Sequence, residues 1–172
     1  MSAPTPYLVS ITVDQVFDAL GAFLAPFVAP VPIIRAQVNR VALPVGNFVE
    51  LTEIGTCDLE FPRIGYDSVN FQQDFIGPKR IMIQADFYGD QAGDWCAAVK
   101  TVWKTPYAVS QFPFGIAPLY CDDGHEAPLI TGEEQYLRRW TLTMSLQYNP
   151  ILAVPLQSAD QLAMHIIDAV DV

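Results

Sequence analysis

The sequence predicts an α+β fold, a single domain in which a mainly antiparallel β-sheet is flanked by helices, and three stretches carry that expectation. In residues 79–104, KRIMIQADFYGDQAGDWCAAVKTVWK, apolar side chains alternate up to Gly89 and recur at helical spacing beyond it. A strand there feeds a helix that folds back onto its own sheet. Residues 136–148 alternate throughout, with Tyr136, Arg138, Trp140, Leu142, Met144, Leu146 and Tyr148 against Leu137, Arg139, Thr141, Thr143, Ser145 and Gln147. That is the pattern of a long, half-buried antiparallel strand. Near the N-terminus, Val13, Val16, Phe17, Leu20, Phe23, Leu24 and Phe27 recur at spacings of three and four, the stripe of an amphipathic helix.

Taken in order, residues 1–10 hold two prolines and little pattern and read as an N-terminal arm. Thr12 or Ser10 caps the first helix, Asp14 suits its positive end, and Pro26, Pro30 and Pro32 close it. Residues 33–41 read as a strand that turns at Pro44-Val45-Gly46-Asn47 into a second strand over 48–59, the two pairing as a wide hairpin. Gly55 marks a bulge in the second strand. Residues 61–78 are punctuated by Pro62, Gly65, Gly77 and Pro78 and read as a long insertion loop or a β-hairpin arm. In the strand that follows, Ile81, Ile83, Ala85 and Phe87 share one face and Met82, Gln84, Asp86 and Tyr88 the other. Asp90 is the expected N-cap of the next helix, Asp94 lies in its first turn, and Ala92, Trp95, Cys96, Val99, Val102 and Trp103 form its inner face until Pro106 stops it. Residues 107–133 read as irregular, with one short strand near 117–121 and a tight turn at Asp123-Gly124. Pro150 ends the last long strand, a short extended piece runs to Pro155, and residues 157–172 form a C-terminal helix striped by Leu162, Ile166 and Val170.

Composition narrows the function. A chain of 172 residues fits one core and buries on the order of 70% of the surface that its unfolded form exposes. Nine Lys and Arg against 19 Asp and Glu give a formal net charge of -10, which repels phosphate backbones and argues against general nucleic-acid binding. Apolar residues reach 51% and charged ones only 16%, so part of the apolar surface is expected to meet other chains. The longest apolar stretch, residues 19–34, is interrupted by three prolines and falls short of a bilayer span, so no membrane association is expected. The opening MSAPTPYLVS has no basic segment followed by an apolar one, and the chain is expected to stay in the cytosol where it is made. Cys57, Cys96 and Cys121 are odd in number and far apart, which fits small apolar residues better than a disulfide framework or a zinc site.

Chemistry-bearing constellations are few. Asp122-Asp123-Gly124-His125-Glu126 gathers carboxylates and an imidazole, yet it lacks the ligand order of a calcium loop and reads as a solvated acidic turn. His165 reads as a helix-surface residue. No nucleophile elbow, phosphate loop or dinucleotide fingerprint occurs, and Asp18, Asp58, Asp86 and Asp90 do not align into a paired-carboxylate site. Alternation puts Arg138 and Arg139 on opposite faces, where carboxylates such as Glu133 or Glu134, or an acid on a neighbouring subunit, are their expected partners. Neither catalysis nor a metal or other cofactor is expected. The unpatterned aromatic and aliphatic residues do need an explanation, and an assembly interface made by Phe61, Ile64, Tyr66, Phe71, Phe75, Phe112 and Phe114 with Arg138 and Arg139 supplies one.

Three strings carry a resemblance: PIIRAQVNRVALPVGNFVELT, QADFYGDQAGDWCAAVKTVW and APLYCDDGHEAPLITGEEQYLRRWTLTMSLQYNP. Over roughly residues 10–156 the chain resembles the tailed-phage neck terminator family, also described as tail terminator or tail-completion proteins. The best markers are Asn39-Arg40, the corner Asp86-Phe87-Tyr88-Gly89, and the strand from Glu134-Gln135-Tyr136 to Arg139-Trp140. The resemblance implies an α+β subunit that forms a ring, usually of six copies, capping the finished tail tube and facing the head-completion proteins of the neck. It also implies a place in the virion after assembly in the host cytoplasm, with tail tube, neck or head-completion protein and tail sheath as partners. Genomic DNA would pass through the ring without sequence-specific binding. No active site is implied, and the segment after Pro155 departs from the resemblance. The alternatives are another tail, baseplate or connector component, or a cytosolic ligand-binding domain or enzyme built on residues 122–126. Residues 61–78 and 107–133 are the expected contact loops.

Overall fold

Capping decides where the first helix begins. In the computed structural model, which describes residues 7–36, 44–127, 129–130 and 136–156, Thr12 accepts from the Gln15 backbone N–H at 3.3 Å while the Gln15 side chain accepts from the Thr12 N–H at 2.8 Å. This reciprocal box satisfies two donors that a helix start would leave unpaired. Helix α1 then runs over Val13–Val28, with Pro26 inside its last turn. Strand β1 (Ile33–Arg35) leads to β2 (Phe48–Asp58), β3 (Arg63–Asp67), β4 (Gln72–Ile76) and β5 (Lys79–Tyr88). Helices α2 (Ala92–Trp103) and α3 (Pro106–Gln111) precede β6 (Ile116–Cys121), β7 (His125–Glu126), β8 (Leu129–Ile130), β9 (Tyr136–Leu137), β10 (Arg139–Tyr148) and β11 (Ile151–Pro155).

The main sheet has the order β1-β2-β5-β10-β6, with β7 also paired to β10. Every pairing in it is antiparallel except β1 with β2. The α+β architecture read from the sequence is the one observed. Strand β5 lies between β2 and β10, and its alternation works as expected: Ile81, Ile83, Ala85 and Phe87 are fully buried. They meet Val16, Leu20 and Leu24 of α1, Val99 of α2 and Leu142, Met144 and Leu146 of β10 in one core. Phe23, Trp103 and Phe112 close its far side with ring centroids 5.4–5.8 Å apart.

Four local expectations are corrected. The segments over 33–41 and 48–59 do not form a hairpin, because β1 pairs with β2 in parallel, Ile33 opposite Val49, with Val49 N–H on the Pro32 carbonyl at 2.9 Å. About a dozen intervening residues are enough for the crossover that a parallel pair needs. Strand β1 spans three residues, and positions 37–43 lie outside the described residues. Asp90 does not cap α2; Gln91 holds that position without a side-chain bond. The turn closed by Ala92 N–H on the Gly89 carbonyl at 3.2 Å takes Asp90 inside it instead. Pro106 opens α3 as well as following α2, since a proline in the first turn has no bond to lose. The irregular stretch over 107–133 therefore holds a helix and three strands. The last long strand is interrupted at Arg138, between β9 and β10. The bulge expected at Gly55 is present as a register shift between Glu53 and Gly55. The expected helix over 157–172, with His165, lies outside the described residues.

Candidate functional site

Three central strands continue past the end of the main sheet. Strand β2 leads into β3, β4 leads into β5, and β10 leads into β11, so the sheet β11-β4-β3 repeats the order β10-β5-β2 as an arm. A proline stands at each crossing: Pro62, Pro78 and Pro150. Proline lacks a donor and fixes φ, which suits a corner between sheets better than the middle of a ladder. The corner is still bonded, with Leu59 N–H on the Pro78 carbonyl at 2.9 Å and Gly77 N–H on the Pro150 carbonyl at 3.2 Å. Of the two readings left open for residues 61–78, the hairpin arm is the observed one.

At the arm's tip, Asp67 accepts from the Val69 and Asn70 backbones at 2.9 and 3.2 Å and from the Asn70 amide at 2.7 Å. Those bonds, the Asn70 side chain first, hold its carboxyl below the usual range. Phe71 sits at φ 50°, in the left-handed region where a bulky side chain is unusual. Its carbonyl accepts from Leu156 N–H at 2.9 Å, which ties the tip to the end of β11.

Residues paired across strands share a face, so the register assigns the arm's two sides. Ile64 pairs with Phe75 and Phe75 with Leu152; Tyr66 pairs with Gln73 and Gln73 with Val154. One side is therefore almost wholly apolar. Arg63, Asp67, Gln72 and Asp74 lie on the other, with Ile76 and Ile151. The residues of β4 are all only half-buried, and none of the arm's residues reaches the fully buried class. Phe61, at 93% exposure, and Val69, at 82%, extend this open surface. A second surface lies at the β1 edge, where α1 and β1 leave a recess of about 510 Å³ lined by Phe17, Gly21, Ala22, Ile33, Ile34 and Leu51 and by the charged Asp14, Asp18 and Arg35.

The sequence-predicted interface residues divide accordingly. Phe61, Ile64, Tyr66 and Phe71 are exposed on or beside the arm, and Phe75 is half-buried in it. Phe114 is fully exposed at the second position of the Pro113–Ile116 turn, where Gly115 at φ 89° supplies the conformation the turn needs. Phe112 is different: at 8% exposure it stacks on Phe23 in the core and has little ring to offer a neighbour. Arg138 and Arg139 are already engaged within the chain. Arg138 pairs with Glu126 at 3.1 Å, and Arg139 donates to the Ala127 carbonyl at 2.9 Å. Arg139 also stands beside the Tyr88 hydroxyl, whose hydrogen bond keeps the guanidinium firmly charged. Glu133 and Glu134 lie outside the described residues.

Asp86, 4% exposed, accepts from the Thr141 hydroxyl at 2.5 Å and the Gln84 amide at 2.8 Å, which meets the demand of a buried carboxylate. In the acidic loop, Asp123 pairs with Lys100 and Glu126 with Arg138. Among the described residues no group of three or more His, Cys, Asp or Glu is placed to hold a metal ion. Burial pushes the Cys96 thiol up to about 11, so it is a poor nucleophile at neutral pH. The α1–β1 recess was not foreseen from the sequence; its one signal is Gly21-Ala22, two small residues beside the apolar stripe of α1.

The sequence profile of a family described as phage neck terminator protein matches residues 14–170. No curated protein matches the sequence. Among solved structures, the cryo-EM structure of a sheath/tube terminator from an extracellular contractile injection system, in its extended state, is similar at a TM-score of 0.54 and 13% identity, covering 95% of this chain and 67% of that one. At that identity the likeness speaks for the fold.

Proposed function

This chain belongs to the phage neck terminator protein family, a structural component of the virion tail that terminates the tail, and from that premise we propose that it acts as a homo-oligomeric ring. The ring, of six copies on the family resemblance, covers the last turn of the tail tube and leaves no equivalent surface for another tube subunit. Its opposite face meets the neck or head-completion protein, and its rim meets the sheath where the tail has one. The solved terminator of similar fold is named for both sheath and tube, which supports including the two as partners. Assembly takes place in the host cytoplasm, and the protein works by shape and charge without a catalytic step.

The observation that carries this reading is the arm: a three-stranded sheet with one apolar side, bonded to the core sheet at its corner, none of whose residues is fully buried in the isolated subunit. A small sheet with an open apolar face gains stability when something covers it. The net charge of -10 fits a bore through which DNA slides without sticking. The test is to polymerise the tail tube protein with and without the purified chain and measure tube lengths by electron microscopy. Shortened tubes, each with an end ring of this protein, are expected. A chain that stays monomeric and leaves the length distribution unchanged overturns the reading.

A further inference from the structure

Among the described residues, the main sheet ends in β1 and β6 and the arm in β3 and β11, and of these four outer strands β11 is met by Val9 and Ser10. Strand β1 is one outer strand of the main sheet, and the recess beside it is lined by Phe17, Gly21, Ala22, Ile33, Ile34 and Leu51 together with Asp14, Asp18 and Arg35, which pairs with Asp14 and lies over the Phe17 ring. At the middle of the recess, a Cβ added to Gly21 would meet nothing within 4 Å. Strand β3 is the arm's outer strand opposite β11, and it holds Ile64 and Tyr66 at 63% and 59% exposure. An unpaired strand edge is a template for another strand. Side chains alternate along a strand, so pairing through β3 sends Ile64 and Tyr66 to one side, roughly 7 Å apart.

One chain does not make this contact with itself. Leu51 at the recess and Asp58 at the foot of the arm are separated by roughly 23 Å of strand β2, and the arm begins beyond the corner. We propose that β3 of one copy adds to the β1 edge of the next copy and seats Ile64 and Tyr66 in its α1–β1 recess. The contact joins two different surfaces, so it is head-to-tail, and such contacts generate closed rings when the rotation between copies closes. The proposal rests on the ring reading above and supplies the residues that close the ring.

The size of the contact sets how it behaves. Strand β3 is about 17 Å long, and with the roughly 10 Å depth of one packed layer it covers a footprint far smaller than the ~800 Å² per partner of a standard stable interface. A single contact therefore holds no lasting dimer, and the closed ring, in which every copy makes two, is the stable species. Monomer and ring are expected without intermediates between them.

The test uses the full chain in native mass spectrometry and sedimentation. In Gly21→Leu, the new side chain fills the recess and replaces a poor helix former with a good one. It is expected to keep or raise the melting temperature while lowering the ring fraction at least tenfold. For a direct readout, Ala22→Cys and Ile64→Cys are made as separate variants, each with Cys57→Ser. Mixed and oxidised, they are expected to give a disulfide-linked dimer that neither gives alone. A folded Gly21→Leu that forms rings like the parent, or the absence of the mixed dimer, overturns the arm-to-recess contact and leaves the ring reading standing. Rings that survive Gly21→Leu but no longer cap tubes overturn it too, and give the recess to the tube protein. A parent chain that never forms a ring overturns both readings.

Discussion

Phe112 and Phe114 are two residues apart, and the structure gives them opposite roles. The Phe112 ring packs on Phe23 at 5.4 Å and edge-on against Trp103 at 5.8 Å, with 8% of the residue exposed. Phe114 is fully exposed at the tip of a turn. Truncating a buried phenylalanine to alanine removes its transfer free energy and leaves a cavity, about 3–5 kcal/mol in total. Phe112 belongs near the lower end, about 3 kcal/mol, because its site lies at the margin of the core beside short α3, where the chain can relax. In a domain of this size that lowers the melting temperature by roughly 6–12 °C. Phe114→Ala is expected to change stability by less than about 0.5 kcal/mol. The assay is urea unfolding of the monomer followed by tryptophan fluorescence, with ring formation measured separately on folded protein. A Phe112→Ala variant that loses less than about 1 kcal/mol while losing assembly refutes the core assignment and restores Phe112 to the interface.

Three further predictions follow from the packing. Gly124→Ala places a Cβ 2.3 Å from the Cys96 Sγ, so it is expected to cost about 1–3 kcal/mol in thermal or urea unfolding, and adding Cys96→Ala should recover most of the loss. Thr141→Val removes the hydroxyl donor to buried Asp86 and is expected to cost about 1–3 kcal/mol; a variant as stable as the parent would mean that Asp86 finds another partner. Cys96 should resist alkylation at pH 8 until the protein unfolds. Because its folded pKa is raised from 9.0 to about 11, its contribution to stability is complete below pH 9 and lost as the pH climbs toward 11, which unfolding measured across that range will show as a falling midpoint.

Much of the fold was legible because local pattern and tertiary demand agree. Alternation through Ile81, Ile83, Ala85 and Phe87 has one explanation, a strand with a buried face, and all four side chains are buried. Thr12 was one of the two caps expected for α1, and its box with Gln15, three residues on, decides for it over Ser10. The family resemblance rested on three longer strings of sequence, and the match over residues 14–170 agrees with it. The candidate surface was legible in composition but not in place. Excess apolar residues pointed to an interface, whereas Phe112 and Phe114 look alike in sequence, and only the stacking on Phe23 separates them.

What the sequence determined by itself is therefore periodicity and the breaks that proline imposes, since these rest on contacts within a few residues. Tertiary structure decided what depends on distant partners. The parallel direction of β1 is set by β2, and the bent arm by three proline corners meeting across strands that start as far apart as Phe48 and Arg139. Arg138 found Glu126, and Arg139 the Ala127 carbonyl, because antiparallel pairing of β7 with β10 brings those groups within reach. The open apolar side of the arm and the recess beside α1 exist only once the sheets have formed. Exposure is a property of the packed whole, and no window of sequence contains it.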